Sequence, residues 1–156
     1  MKLALLGPGR IAGTVAQALV ATPEIECYAV ASRSLERAEA FAEKFGFQKA
    51  YGSYEEMLSD PEVQLVYITT PHSHHYEQML LCLEYGKNVI CEKAFTLNAG
   101  QARKVFAKAR EKGLEIVGID ICGEAEPHDA EGCTKSSTVN RALLEYIQQP
   151  TKWPVG

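Results

Sequence analysis

Lys2-Leu3-Ala4-Leu5-Leu6-Gly7-Pro8-Gly9-Arg10-Ile11-Ala12 decides the fold. A short apolar run stops at two glycines, and from Ile11 to Ala21 apolar residues recur at helical spacing. The stretch therefore reads as strand, tight turn and helix, with the pattern G-x-G-x-x-A at the turn. Gly7 permits the sharp turn, Gly9 removes a side chain that would block a pyrophosphate, and Ala12 lets helix and strand approach closely. The helix start offers N–H groups and the positive end of its dipole to phosphates. Such glycines also suit a plain strand–helix turn, but the strand before them and the helix after them favour a dinucleotide site. Its first candidate contacts are Gly7, Gly9, Arg10 and Ile11.

On both sides of this stretch, apolar strand-like runs alternate with longer helical ones along the chain. Strands are expected at Lys2 to Leu6, Glu26 to Ala31, Lys49 to Tyr51, Leu65 to Ile68, Asn88 to Cys91 and Glu115 to Ile121. Helices are expected between them: Ser34 caps one that Gly46 ends, a short one starts near Tyr54, one runs from His74 to Tyr85 with Gly86 as its stop, and one from Asn98 to Lys112 with Gly113 as its stop. Each helix returns the chain to a parallel strand, and such crossovers are right-handed. The fold class is therefore α/β, a doubly wound parallel sheet in three α/β/α layers, forming a single domain over 1–156. Gly123 to Ser137 has no apolar period and reads as a loop; Thr138 then caps a last helix with Val139, Leu143, Tyr146 and Ile147 on one face.

The chain has 156 residues, 46% of them hydrophobic, and a formal net charge of -4, which gives no electrostatic footprint for nucleic acid. Its apolar runs fall short of the roughly 18 residues that cross a bilayer, so no membrane contact and a cytoplasmic location are expected. The five cysteines form no C-x-x-C pair, which argues against a disulfide framework and a zinc site.

Three further motifs carry chemistry. At the end of the second strand, where an acid would bind the adenosine ribose, the chain reads Ala31-Ser32-Arg33-Ser34, with Arg37 following. Ser32 stands in the acid's place, and Arg33 and Arg37 suit a 2′-phosphate, which favours NADP over NAD. After the fourth strand come Thr69-Thr70-Pro71-His72-Ser73-His74-His75. Three histidines suggest a metal, but no carboxylate or thiolate lies at ligand spacing, so none is expected. Thr70, Pro71, His72 and His75 are instead candidates for the wall against which the nicotinamide half lies. The fifth strand ends in Cys91-Glu92-Lys93-Ala94. There Lys93 can reach a reacting hydroxyl or carbonyl and Glu92 can orient its ammonium, so both are cofactor-site candidates and Lys93 is the catalytic one.

In their order, these motifs, with Tyr51-Gly52-Ser53-Tyr54-Glu55-Glu56-Met57-Leu58 and Phe95-Thr96-Leu97-Asn98, resemble the glucose-fructose oxidoreductase, inositol dehydrogenase and rhizopine-catabolism family (Gfo/Idh/MocA), in particular members similar to dimeric dihydrodiol dehydrogenase. The resemblance covers about 1–113. It implies a Rossmann domain for NADP(H) or NAD(H), with Lys93 at the position of the family's active-site lysine and Ala94 where its E-K-P motif has proline. It further implies an oxidoreductase acting on a CH–OH group of a sugar, polyol or dihydrodiol. The family's second domain, which holds the substrate pocket and dimer face, has no counterpart in 156 residues, so the chain is expected to be catalytically incomplete alone, with a homodimer possible. The tail 114–156 departs from the family and is faintly similar to the end of arginase-like ureohydrolases, which suggests a chimera. A cofactor module, an enzyme completed by an oligomer and a scaffold without activity are the three functional readings that follow.

Overall fold

The computed structural model describes residues 1–19 and 22–119. Twelve elements follow one another: β1 (Lys2–Leu6), α1 (Arg10–Leu19), β2 (Glu26–Ala31), α2 (Leu35–Phe45), β3 (Lys49–Tyr51), α3 (Tyr54–Ser59), β4 (Leu65–Ile68), a 3-10 turn (His72–His74), α4 (His75–Glu84), β5 (Asn88–Glu92), α5 (Ala99–Lys112) and β6 (Ile116–Ile119). The strands form one six-stranded sheet in the order β3-β2-β1-β4-β5-β6, with every pairing parallel. The order reverses between β1 and β4, and crevices at such a switch point hold ligands at the carboxyl ends of the strands.

Alternation along each strand splits the core in two. Leu3, Leu5, Val30, Tyr67 and Ile90 meet Val15 and Leu19 of α1 and Phe41 of α2 on one face. Ala4, Leu6, Val66, Ile68, Val89 and Cys91 meet Met57, Met79, Leu83 and Val105 of α3, α4 and α5 on the other. Apolar side chains on both faces explain why the strands read as continuous apolar runs.

Local chemistry fixes the helix ends where the sequence places them. The hydroxyl oxygens of Ser34 and Ser53 accept from the N–H groups of Arg37 and Glu56, and the side-chain oxygen of Asn98 accepts from Gln101 N. Gly46 and Gly113 close α2 and α5 in the left-handed conformation, with φ of 74° and 66°. One expected helix starts differently: Pro71 is followed by a 3-10 turn, and α4 begins at His75. Proline favours extended backbone before it and a tight turn after it, so the chain makes a narrower turn before regular helix sets in. The expected strand from Glu115 is seen over Ile116–Ile119, and the expected loop and last helix beyond it lie outside the described residues.

At the amino edge of the sheet, Asp60 after α3 gathers three side chains. Its Oδ2 accepts from Tyr28 Oη at 2.9 Å, Tyr51 Oη at 2.6 Å and Lys49 Nζ at 2.8 Å. Burial works to raise its carboxyl pKa, but Lys49, Tyr51, the backbone N–H of Glu62 and Tyr28 outweigh it and hold the group well below the usual carboxylate range. A depressed folded-state pKa contributes stability that is present above the ordinary value and lost as acid protonates the folded state. Asp60→Asn is therefore expected to cost about 1 to 3 kcal/mol at neutral pH. The penalty should shrink when urea melts of both proteins are repeated at strongly acid pH, and an equal penalty at both pH values would refute the assignment.

Candidate cofactor-binding site

The loop after β1 is held by backbone and by β4. Gly7 has φ of 98°, its N–H donates to Ala31 O at 3.0 Å, and its carbonyl accepts from Gly9 N at 2.9 Å. Thr69 Oγ1 donates to Gly7 O at 2.7 Å, tying the loop to the end of β4. A Cβ at Gly7 would stand 2.6 Å from Thr70 Cγ2, so glycine is required by both dihedral and space. A Cβ at Gly9 meets no protein atom closer than Thr69 O at 3.9 Å. The absence of a side chain at Gly9 is therefore not needed for internal packing, and bare backbone there suits the close approach of a ligand.

These residues form one wall of a cleft of about 570 Å³ at the carboxyl edge of the sheet. Gly7, Pro8 and Gly9 line it together with Thr69, Thr70 and Pro71, and Ser32, Arg33, Ser34, Arg37 and Tyr54 complete the lining. Ser32 is buried; its N–H donates to Tyr51 O at 3.1 Å and its Oγ accepts from Ser34 N at 3.3 Å. The serine thus shapes the turn from which the exposed Arg33 projects. Burial pushes the Tyr54 phenol up in pKa, and the nearby positive charges of Arg33 and Arg37 pull it back. No carboxylate stands among the described lining residues.

Of the residues singled out from the sequence, Gly7, Gly9, Ser32, Arg33, Arg37, Thr70 and Pro71 line this cleft together. Arg10 lines a neighbouring groove between α1 and α2, of about 530 Å³, which also holds Arg37 and Lys44. Ile11 is exposed on α1, and His72 is exposed in the 3-10 turn. His75 is fully buried: its Nδ1 lies 2.9 Å from Ala94 O and its Nε2 2.7 Å from Thr70 O. It therefore joins the turn after β4 to the turn after β5. Gln78, one turn further along α4, is hydrogen-bonded to the Thr70 hydroxyl. Glu92 is also buried and accepts from Tyr67 Oη at 2.7 Å, whereas Lys93 is exposed at the carboxyl end of β5. The Lys93–Ala94 peptide is cis although alanine stands in the place of proline. Among the described residues, no group of histidine, cysteine or acidic side chains is arranged to hold a metal ion.

Pro8, Ser34, Tyr54 and Thr69 belong to the cleft and were not singled out from the sequence. Pro8 lies inside the glycine motif, and Ser34 reads only as a helix cap. Tyr54 is the least visible, because it follows the cap Ser53 and its approach to Arg33 and Arg37 depends on how β2 and β3 pair.

Residues 1–119 match the family described as an oxidoreductase family with an NAD-binding Rossmann fold, GFO_IDH_MocA. The chain is 45% identical over 119 residues to trans-1,2-dihydrobenzene-1,2-diol dehydrogenase of Mus musculus, an alignment covering 75% of this chain and 36% of that protein. It is 45% identical over 129 residues to D-xylose 1-dehydrogenase (NADP(+)) of Hypocrea jecorina, covering 75% of this chain and 33% of that one. Among solved structures, the 3-ketoreductase KijD10 of Actinomadura kijaniata, in complex with NADP and TDP-benzene, superposes with a TM-score of 0.73 at 35% identity, covering 76% of this chain and 36% of that one. The chain thus spans about a third of the length of the curated relatives it matches.

Proposed function

Since the chain belongs to the Gfo/Idh/MocA oxidoreductase family, with residues 1–119 as its NAD(P)-binding Rossmann domain, we propose that its cleft takes NADP in preference to NAD. One observation carries the preference: Arg33 and Arg37 line the cleft with Ser32, and no acid is among the described residues there to receive a ribose 2′-hydroxyl. Two guanidinium groups suit a 2′-phosphate dianion, and a carboxylate in that place would repel it. The bare backbone of Gly7 to Gly9, at the start of α1, receives the diphosphate.

NADP supplies the hydride acceptor or donor. The protein's part is to fix the nicotinamide against the turn of Thr70 and Pro71 and to present Lys93, exposed one strand away, to the oxygen of the reacting carbon. A lysine ammonium there hydrogen-bonds a hydroxyl or carbonyl and moves its proton as the hydride passes. The substrate class that follows is a sugar, polyol or dihydrodiol oxidised at a CH–OH group, with the isolated chain expected to bind cofactor better than it turns over substrate. Turnover of such compounds with NADP that vanishes in Lys93→Met would support the assignment of Lys93, and unchanged turnover would remove it.

Cys82 and Cys91 are buried free thiols, which suits a reducing, cytoplasmic setting. No described helix is long and apolar enough to cross a membrane, and the net charge of -4 offers nothing to nucleic acid. Exposed Leu97 and Phe106, around the segment that leads to β6, support a homodimer, to be checked by light scattering.

Calorimetric titration tests the cofactor reading. Arg33→Ala is expected to weaken NADPH binding about 10- to 100-fold, the loss of a charge-assisted contact, and to change NADH binding far less. Equal losses for both nucleotides, or no binding of either by the unaltered chain, would overturn the proposal.

A further inference from the structure

Beside the cofactor cleft runs a groove of about 530 Å³ between α1 and α2. α1 lines it with Arg10, Gly13 and Gln17, and α2 lines it with Arg37, Phe41 and Lys44. Spacings of three, four and seven residues put each set on one helix face. Both helices connect parallel strands of one sheet, so they run in the same direction. Arg10 and Arg37, near the two helix starts, therefore share the end of the groove next to the glycine loop. Lys44 lies two turns further along α2, about 10 Å at 1.5 Å per residue.

Two independent observations point to a ligand. The first is charge. Three cations line the groove and no acid does, and among the described residues none of the three is in an ion pair. The Lys44 ammonium lies 5.2 Å from the centre of the Phe45 ring. The whole chain carries a net charge of -4, so a wall of one positive sign runs against its composition, and such a wall concentrates anions. The second is Gly13. It stands inside α1, its N–H donating to Gly9 O at 3.1 Å, where glycine is less favourable than alanine. A Cβ there would meet Phe45 Cζ at 3.4 Å, an ordinary contact. Helix packing does not require glycine at this position; its missing side chain gives the groove depth.

We infer that this groove is a second ligand site, for a small organic bisphosphate: one phosphate meets Arg10 and Arg37, the other meets Lys44, and the body between them lies over Gly13 and Phe41. The separation of the two cationic ends selects a ligand with two anions, since a lone phosphate reaches only one of them. Phe41 supplies an apolar floor for the carbon skeleton. Arg37 lines the cofactor cleft as well. A guanidinium engaged by the bisphosphate is lost to a 2′-phosphate, so filling the groove lowers affinity for NADP and not for NAD. That consequence rests on the NADP reading above, whereas the groove itself does not.

Calorimetry on the 156-residue chain tests the site with fructose 1,6-bisphosphate as probe and inorganic phosphate beside it. The unaltered chain is expected to bind the probe about tenfold more tightly than inorganic phosphate, because two ends are filled instead of one. Lys44→Ala, which removes a phosphate partner, and Gly13→Ala, which puts a methyl group into the floor, should each weaken the probe about tenfold. Neither should change NADH binding, and Gly13→Ala should unfold at the same or a higher urea concentration than the unaltered chain, which separates a filled groove from a damaged fold. Saturating probe should weaken NADPH binding about tenfold and leave NADH binding unchanged. A probe that ignores both substitutions, a probe that displaces NADPH and NADH alike, or no binding of the probe would overturn the inference. Undiminished NADPH affinity with the probe bound would overturn the part given to Arg37. If both substitutions weaken the probe while NADPH itself does not bind, the groove stands and the NADP reading falls.

Discussion

Replacing Gly7 with alanine is expected to destabilise the chain by about 2 to 3 kcal/mol and to remove measurable NADPH binding. Two costs combine at this position. With φ of 98°, any residue with a Cβ is strained, and the new carbon would stand 2.6 Å from Thr70 Cγ2. Relief requires the glycine loop to move away from β4, which breaks the bond from Thr69 Oγ1 to Gly7 O and opens the wall of the cleft. The loss of binding therefore exceeds what the loss of stability alone produces. Urea melts give the first quantity and calorimetry the second. Gly46→Ala is the control: its φ of 74° imposes similar backbone strain, but a Cβ there meets nothing within 4 Å and the site lies at the far end of α2. It should cost about 1 kcal/mol and leave binding intact. If Gly7→Ala and Gly46→Ala behave alike, the loop is not the phosphate cradle.

His75→Ala is expected to cost about 2 to 4 kcal/mol, from the cavity left by a fully buried ring and from the loss of the ring N–H that lies between two carbonyl groups. Those carbonyls belong to Thr70, on the wall of the cleft, and to Ala94, the residue after Lys93. The ring contacts both turns, so its loss lets them drift relative to each other. A loss of affinity for NADPH should accompany the loss of stability. His75→Gln, which can still donate one hydrogen bond, should recover part of both. Denaturation midpoints within about 1 kcal/mol of the unaltered chain for His75→Ala would show that the two turns are held by other means. Surface substitution of His72 or His74, both exposed in the 3-10 turn, should leave stability unchanged and separates the buried histidine from its neighbours.

The contrast between His75 and its neighbours shows where sequence reading stops. Three histidines in four positions look alike in the chain, and spacing places all of them after β4. Only the packing of α4 against the turn after β5 turns His75 inward to two carbonyls while His72 and His74 stay in solvent. The same holds for acids and phenols. Glu92 reads only as the neighbour of Lys93 along the chain, and the fold adds a contact with Tyr67, 25 residues away, because parallel β4 and β5 stand side by side in register. Tyr54 reads as a helix start and lies in the cleft with two arginines because β3 pairs with β2.

What the sequence determined by itself is the set of features that depend on neighbours along the chain. Apolar period separates strands from helices, serine and asparagine fix helix starts, Gly46 and Gly113 fix two ends, and the glycine motif with the strand before it places a phosphate loop. From the alternation of those elements the parallel, doubly wound order follows, since crossovers have one hand. Only the tertiary structure decided which side chains meet: Thr70 against Gly7, His75 between Thr70 and Ala94, Tyr67 on Glu92, Asp60 among Tyr28, Lys49 and Tyr51. The physical reason is range. Dihedral preference, capping and hydrophobic period act within a few residues, whereas a contact across strands depends on register and on helix packing, which the whole sheet sets at once.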